Sequence, residues 1–162
     1  MGRIRLTEIL KILICIIICE SAGVIGSIFT TPAIPGWYAA LVKPSFTPPN
    51  WVFAPVWTSL YLLMGISAFL VWRKSLDNHL LNSGLRIFIL QLILNTLWSF
   101  LFFGLKSPLL GLIEIVLLWV AIILAILSFF RVSKVAGILL LPYILWVSFA
   151  AILNFSIWRL NP

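Results

Sequence analysis

Polar residues in this chain come in bunches, and between the bunches run long stretches with hardly a charge. Five apolar stretches can be drawn, at about 6–29, 50–73, 84–105, 108–130 and 134–159. Each has the roughly 20 residues or more that carry an α-helix across the hydrocarbon of a bilayer. The pattern predicts an all-α chain, an integral membrane bundle of five transmembrane helices, with residues 1–162 as a single domain. The breaks are equally legible. From Thr30-Thr31-Pro32 to Pro49 the chain holds Pro32, Pro35, Gly36, Pro44, Pro48 and Pro49, which predicts a stiff non-helical loop. Arg73 to His79 reads as a polar turn, Gly104 to Pro108 as a very short one with Pro108 opening the next helix, and Arg131 to Lys134 as another. Short turns make neighbouring helices antiparallel. Pro142, inside the last segment, predicts a bend there and a freed carbonyl.

Composition agrees: 63% of residues are hydrophobic and 9% charged, against about 25% charged in an ordinary soluble domain. The net charge of +7 does not point to nucleic acid, because the eleven Lys and Arg sit singly or in pairs at segment ends. They read as topology markers. Arg3, Arg5, Lys11, Arg73, Lys74, Arg86, Arg131 and Lys134 fall on one side of the bundle and Lys43, Lys106 and Arg159 on the other, which predicts a cytoplasmic N-terminus and an outside C-terminus. Arg3, Arg5 and Lys11 ahead of an apolar run resemble a signal peptide. The run continues to Phe29, however, and Ile18, not a small residue, precedes Cys19, so the first helix is read as retained. Cys15 and Cys19 share a helix face and read as small apolar residues, too few to hold a metal. No Walker loop, dinucleotide motif or nucleophile–base pair is present, and His79 is the single histidine, so no metal or cofactor site is expected.

Polar groups within a membrane helix are costly and face the bundle interior. Glu20, Gly23, Ser27 and Thr31 form one stripe of the first helix, and Gln91, Asn95, Trp98 and Phe102 one stripe of the third. Trp57 and Tyr61 in the second helix, Glu114 and Trp119 in the fourth, and Tyr143, Trp146, Ala150 and Asn154 in the fifth complete the set. The amides also read as interhelical glue, and each of the two Glu side chains as a neutral, hydrogen-bonded carboxylic acid. Of the eight tryptophans, Trp37, Trp51, Trp72 and Trp158 fall near interfaces and suit an aromatic belt. Trp57, Trp98, Trp119 and Trp146 fall inside the spans, where indoles lining a cavity would stack on a large flat hydrophobic ligand. The loop carrying Trp37, Tyr38 and Phe46 reads either as a lid over one bundle mouth or as an interfacial anchor.

Trp37-Tyr38-Ala39-Ala40-Leu41-Val42-Lys43-Pro44-Ser45-Phe46-Thr47-Pro48-Pro49, followed by Phe53-Ala54-Pro55-Val56-Trp57-Thr58-Ser59-Leu60-Tyr61-Leu62-Leu63-Met64-Gly65, closely resembles the TspO/MBR family. This is the group of tryptophan-rich sensory proteins and translocator proteins, or peripheral benzodiazepine receptors. Gln91 to Ser99 with Phe102-Phe103-Gly104, and Pro142 to Ala150 with Leu153-Asn154, agree as well, so the resemblance spans about residues 23–160. It implies a five-helix bundle, usually a homodimer, with a pocket toward the first loop. That pocket would bind porphyrins such as protoporphyrin IX and haem, and synthetic isoquinoline or benzodiazepine-type ligands. Carried onto matching positions, the ligand-binding residues would be Tyr38, Pro48, Phe53, Trp57, Tyr61, Asn95, Trp98, Trp146 and Ala150, with Trp57 and Asn95 as polar donors. One departure stands out. The family's sterol motif needs Tyr where Phe155 stands here, which argues against high-affinity sterol binding.

Three functions follow from these residues. The first is a membrane receptor or carrier of porphyrin-like ligands in tetrapyrrole handling. The second is an enzyme for light- and oxygen-dependent porphyrin breakdown, for which the resemblance implies Trp57 and Trp146 as participants. The third is a scaffold whose aromatics only pack the bundle. The basic N-terminus and the Cys15 to Thr31 stretch point to a prokaryotic inner membrane.

Overall fold

The computed structural model describes residues 6–74 and 79–162, and for residues 79–82 the backbone alone. Arg3, Arg5 and the stretch 75–78 of the second turn lie outside the described residues. Helix α1 covers Leu6–Ala33 and runs on through a π-helical turn, Ile34–Tyr38. Helix α2 covers Asn50–Trp72, and α3 covers His79–Ser99 and continues through a second π turn, Phe100–Gly104. Helix α4 covers Pro108–Val132, and the last span is made of α5 (Lys134–Leu139) and α6 (Leu141–Leu160). Five spans are therefore long and apolar enough to cross a bilayer.

The helices close into a ring. Helix α1 packs on α2 and α3, α3 on α4, α4 on α5 and α6, and α5 back on α2. Met64, Val71, Ile122, Phe129 and Tyr143 fill the interior with almost no exposure, while Ile17, Val24, Ile28, Leu117 and Leu145 stand outward. Such outward apolar residues suit lipid, in which burying them against protein would gain nothing. Helices α1 and α2 approach closely at two glycines. A Cβ at Gly65 would lie 2.7 Å from the Cα of Ile16, and one at Gly23 would lie 2.5 Å from the Tyr61 ring. Across the ring, the buried Ser67 hydroxyl donates to the Ala136 carbonyl at 2.7 Å, tying α2 to α5.

Three boundaries differ from the sequence reading. The first helix does not stop near residue 29. It passes through Pro32 and then widens into the π turn that holds Pro35. Each proline removes only its own ladder bond, and the wider turn eases the Pro35 ring past the carbonyl it would strike in an α-helix. Packing makes up the deficit: Trp37 sits edge-on to Phe102 at 5.5 Å and Tyr38 lies 5.6 Å from Phe103, so the two π turns meet ring to ring. Helix α3 starts at His79, five residues ahead of its apolar run. Hydropathy marks the part in hydrocarbon, whereas the helix itself continues into the polar interface. The last span is interrupted at Leu140, two residues ahead of Pro142 and close to where the bend was expected, and Pro142 takes its place in the first turn of α6 after that break. The break has a geometric effect. Helix α5 stays packed on α2, while α6 diverges from α2 and hardly touches its backbone.

The segment between the first π turn and α2 is held by side chains. The Val42 amide donates to Asn161 Oδ1 at 3.0 Å, and Asn161 Nδ2 donates back to the Val42 carbonyl at 2.9 Å. The Lys43 ammonium donates to the carbonyls of Ala39 and Leu41 at 3.2 and 3.1 Å and lies 4.8 Å over the Tyr38 ring.

Three outcomes follow, the first two for stability. Gly65→Val forces α1 and α2 apart and lowers stability by about 1–3 kcal/mol. Gly36→Ala, where a Cβ meets nothing within 4 Å, stays within about 0.5 kcal/mol of the parent. Thermal unfolding of the detergent-purified variants, followed by circular dichroism, checks both. Asn161→Ala releases the loop, so amide exchange at Val42 speeds up roughly tenfold or more while that of α4 is unchanged. Equal exchange at Val42 in both proteins would remove Asn161 from that role.

Candidate ligand cavity

The divergence of α6 from α2 leaves a cavity of about 380 Å³, inside the range of small-molecule sites. It is walled by α1, α2, α3, α6 and both π turns. Along α2 it runs from Asn50 to Tyr61, about 16 Å at the helical rise.

The floor is a chain of buried polar groups. The Tyr61 hydroxyl donates to Asn95 Oδ1, Asn95 Nδ2 donates to the Tyr143 hydroxyl at 3.0 Å, and that hydroxyl donates to Gln91 Oε1 at 2.8 Å. The chain ties α2, α3 and α6 together where the cavity ends. Burial is safe for these groups because each finds a partner within the protein. Gln91 Nε2 is the exception, buried with no partner among the described residues.

Aromatic rings form the walls. Phe53 meets Trp146 edge-on at 5.8 Å, and Trp57 stacks on Tyr61 at 5.5 Å and meets Tyr143 at 6.3 Å, so rings bridge the gap that the α2 and α6 backbones leave. Trp98 stacks on Phe102 at 5.0 Å. Its indole N–H donates to Asn154 Oδ1 at 3.1 Å, and Asn154 Nδ2 donates to the Pro108 carbonyl at 2.8 Å, which fixes the Trp98 plane. Trp57 and Trp146 differ from Trp98. Neither indole N–H has a hydrogen-bond partner among the described residues, and that of Trp146 is fully buried.

Of the residues singled out in the sequence, Tyr38, Phe53, Trp57, Tyr61, Asn95, Trp98, Trp146 and Ala150 all line this cavity. Pro48 does not; it lies half-buried in the segment before α2. Asn95 has its oxygen and one amide hydrogen already engaged. Trp119, expected among the cavity indoles, lies on the outer side of the bundle and donates to the Ser148 hydroxyl at 2.8 Å. The two carboxyl groups were expected to be hydrogen-bonded. Instead, both oxygens of buried Glu114 lack a partner, and Glu20 makes neither a hydrogen bond nor an ion pair among the described residues. Sequence reading missed Phe103, Leu153 and Ile157 in the wall. Phe103 follows Phe102 directly and falls off the helical stripe. The wider π turn brings both rings to the site, and no helical periodicity signals it.

A family model, the TspO/MBR family, matches residues 15–159. The tryptophan-rich protein TspO of Chlorobaculum tepidum is 48% identical over 155 residues, covering 96% of this chain and 98% of its own. The protein of the same name from Archaeoglobus fulgidus is 47% identical, covering 95% and 99%. The human translocator protein is 38% identical over 128 residues, covering 77% and 75%. A five-span bundle, a cavity walled by indoles and similarity along nearly the whole chain lead to one conclusion: this integral membrane protein, receptor-like in type, belongs to the TspO/MBR family.

Proposed function

We propose that the protein is a receptor or carrier for porphyrin-type tetrapyrroles such as protoporphyrin IX or haem, bound in the aromatic cavity between α2 and α6. Isoquinoline- and benzodiazepine-type molecules share the same shape and enter the same space. One observation carries the reading: the indole N–H of Trp57 stands without a partner among the described residues, in the wall of a cavity rich in aromatic rings. An unmet donor in a low-dielectric site costs about 1–3 kcal/mol. A ligand carbonyl or carboxylate recovers that amount, and the ring faces of Phe53, Trp57 and Trp98 supply stacking. Tyr38 closes the loop end, and Tyr61, Asn95 and Ala150 shape the floor and the far wall. Pro48 acts from behind, by stiffening the chain that leads into α2. The protein works as a homodimer in a prokaryotic inner membrane, with its N-terminus cytoplasmic and the cavity mouth outside. Relatives from a bacterium and an archaeon and the eight-to-three split of cations support that setting.

Tryptophan fluorescence of the purified protein, titrated with protoporphyrin IX in the dark, tests the binding reading. Saturable quenching is expected, and Trp57→Phe weakens it roughly tenfold by removing one donor while keeping a ring. Trp119→Phe, outside the cavity, leaves it unchanged. Quenching that does not saturate, or that is equal in Trp57→Phe and wild type, would remove the cavity from the reading. Orientation has its own check. With Cys15 and Cys19 replaced by Ala, a cysteine at Lys43 reacts with a membrane-impermeant maleimide on intact cells, and one at Arg131 reacts only after permeabilisation. The reverse pattern would invert the topology.

A further inference from the structure

The cavity has two chemically different sides. Where α2 faces α6 it offers the free N–H donor of Trp57. Toward α1 it offers acceptors. Glu20 is the one carboxyl group in the wall, and no Lys, Arg or His lines the cavity among the described residues. The hydroxyls further along this side of the cavity have their hydrogens turned away. Ser27 donates to the Val24 carbonyl at 2.6 Å, Thr30 to the Gly26 carbonyl at 3.1 Å and Thr58 to the Ala54 carbonyl at 3.0 Å. Their oxygens are left with lone pairs only. Lys11, the nearest cation along α1, pairs with Glu8 at 3.5 Å and not with Glu20.

This side is also open. Helices α1 and α2 touch at Gly65 and Gly23. Beyond that contact, Val24, Ser27 and Thr31 of α1 and Ala54 and Thr58 of α2 line the cavity and are at the same time exposed on the outer surface. Residues that belong to both surfaces mark a slot through the wall, and in a bilayer this slot faces lipid. A carboxyl group at membrane depth with no partner in the protein is costly, and a ligand that brings a hydrogen-bond donor removes the cost.

We infer that the α1–α2 side of the cavity is a binding site for lipophilic amines, which enter sideways from the bilayer and place an N–H against the Glu20 carboxyl group. The apolar body of such a ligand lies along Val24, Ala54 and the Trp57 ring, and its nitrogen shares a proton with Glu20 in a charge-assisted hydrogen bond. The inference goes beyond the tetrapyrrole reading and rests only on the cavity accepting a ligand.

Three flat probes of one shape and different charge test it: 9-aminoacridine, anthracene and anthracene-9-carboxylate. Each is titrated against the protein in phosphatidylcholine nanodiscs, with empty nanodiscs subtracted and tryptophan quenching as the readout. In wild type the amine binds about tenfold more tightly than anthracene, and the carboxylate binds weakest. Glu20→Gln brings the amine to within about twofold of anthracene, and Glu20→Asp keeps the order. The same amine preference in Glu20→Gln, or no preference in wild type, overturns the inference. Protoporphyrin IX titrated into the same samples separates the two readings. If it binds while the amine preference is missing, the amine site falls alone. If nothing binds, both fall.

Discussion

The close approach of α1 to α2 sets the geometry on which the rest of the bundle depends. In lipid there is no hydrophobic drive to bring helices together, so small residues that admit close packing and polar groups that bond across helices do that work. Gly65 lets the backbone of α1 come against α2, and Gly23 gives the Tyr61 ring its place. With Tyr61 fixed, its hydroxyl reaches Asn95, and the hydrogen-bonded chain runs on through Tyr143 to Gln91. The lower half of the bundle is thereby locked. In the upper half the break at Leu140 lets α6 lean away from α2, and the space between them becomes the cavity.

Within that cavity, polar satisfaction is uneven in an ordered way. Groups that hold helices together are paired: Trp98 to Asn154, Asn154 to Pro108, Tyr61 to Asn95. Among the side chains that line it, the groups left unpaired and open to the cavity are the Trp57 indole and the Glu20 carboxyl. Structural polar groups and ligand-facing ones therefore separate by whether the protein itself completes them, and not by residue type. Trp98 and Trp57 make the point: both are tryptophans in the wall, yet one is a strut and the other an open donor.

Much of this was legible in the sequence because the bilayer imposes a single rule, that a span be long and apolar. Spacing by three and four residues collected Gln91, Asn95 and Trp98 on one face of α3, and the structure has all three facing the interior. What the sequence hid came from departures from regular helix. Pro32 and Pro35 read as helix breakers, but tertiary packing of Trp37 and Tyr38 on Phe102 and Phe103 overrode the local preference. Phe103 was missed because its position depends on a π turn with no periodic signature. Trp119 was grouped with the cavity indoles because depth along a helix says nothing about which side faces inward when the helix is apolar all round, as α4 is.

The pair of bonds between Asn161 and Val42 joins positions 119 residues apart. A ribosome delivers Val42 long before Asn161, so the first loop waits, unlatched at its middle, through the synthesis of four further spans. The cavity accordingly gains its finished rim only once the end of α6 arrives to fasten a segment made four spans earlier. A chain whose final helix is misplaced in the membrane keeps an unfastened loop that cellular proteases can reach, and the latch thus reports the insertion of the last helix at the opposite end of the sequence.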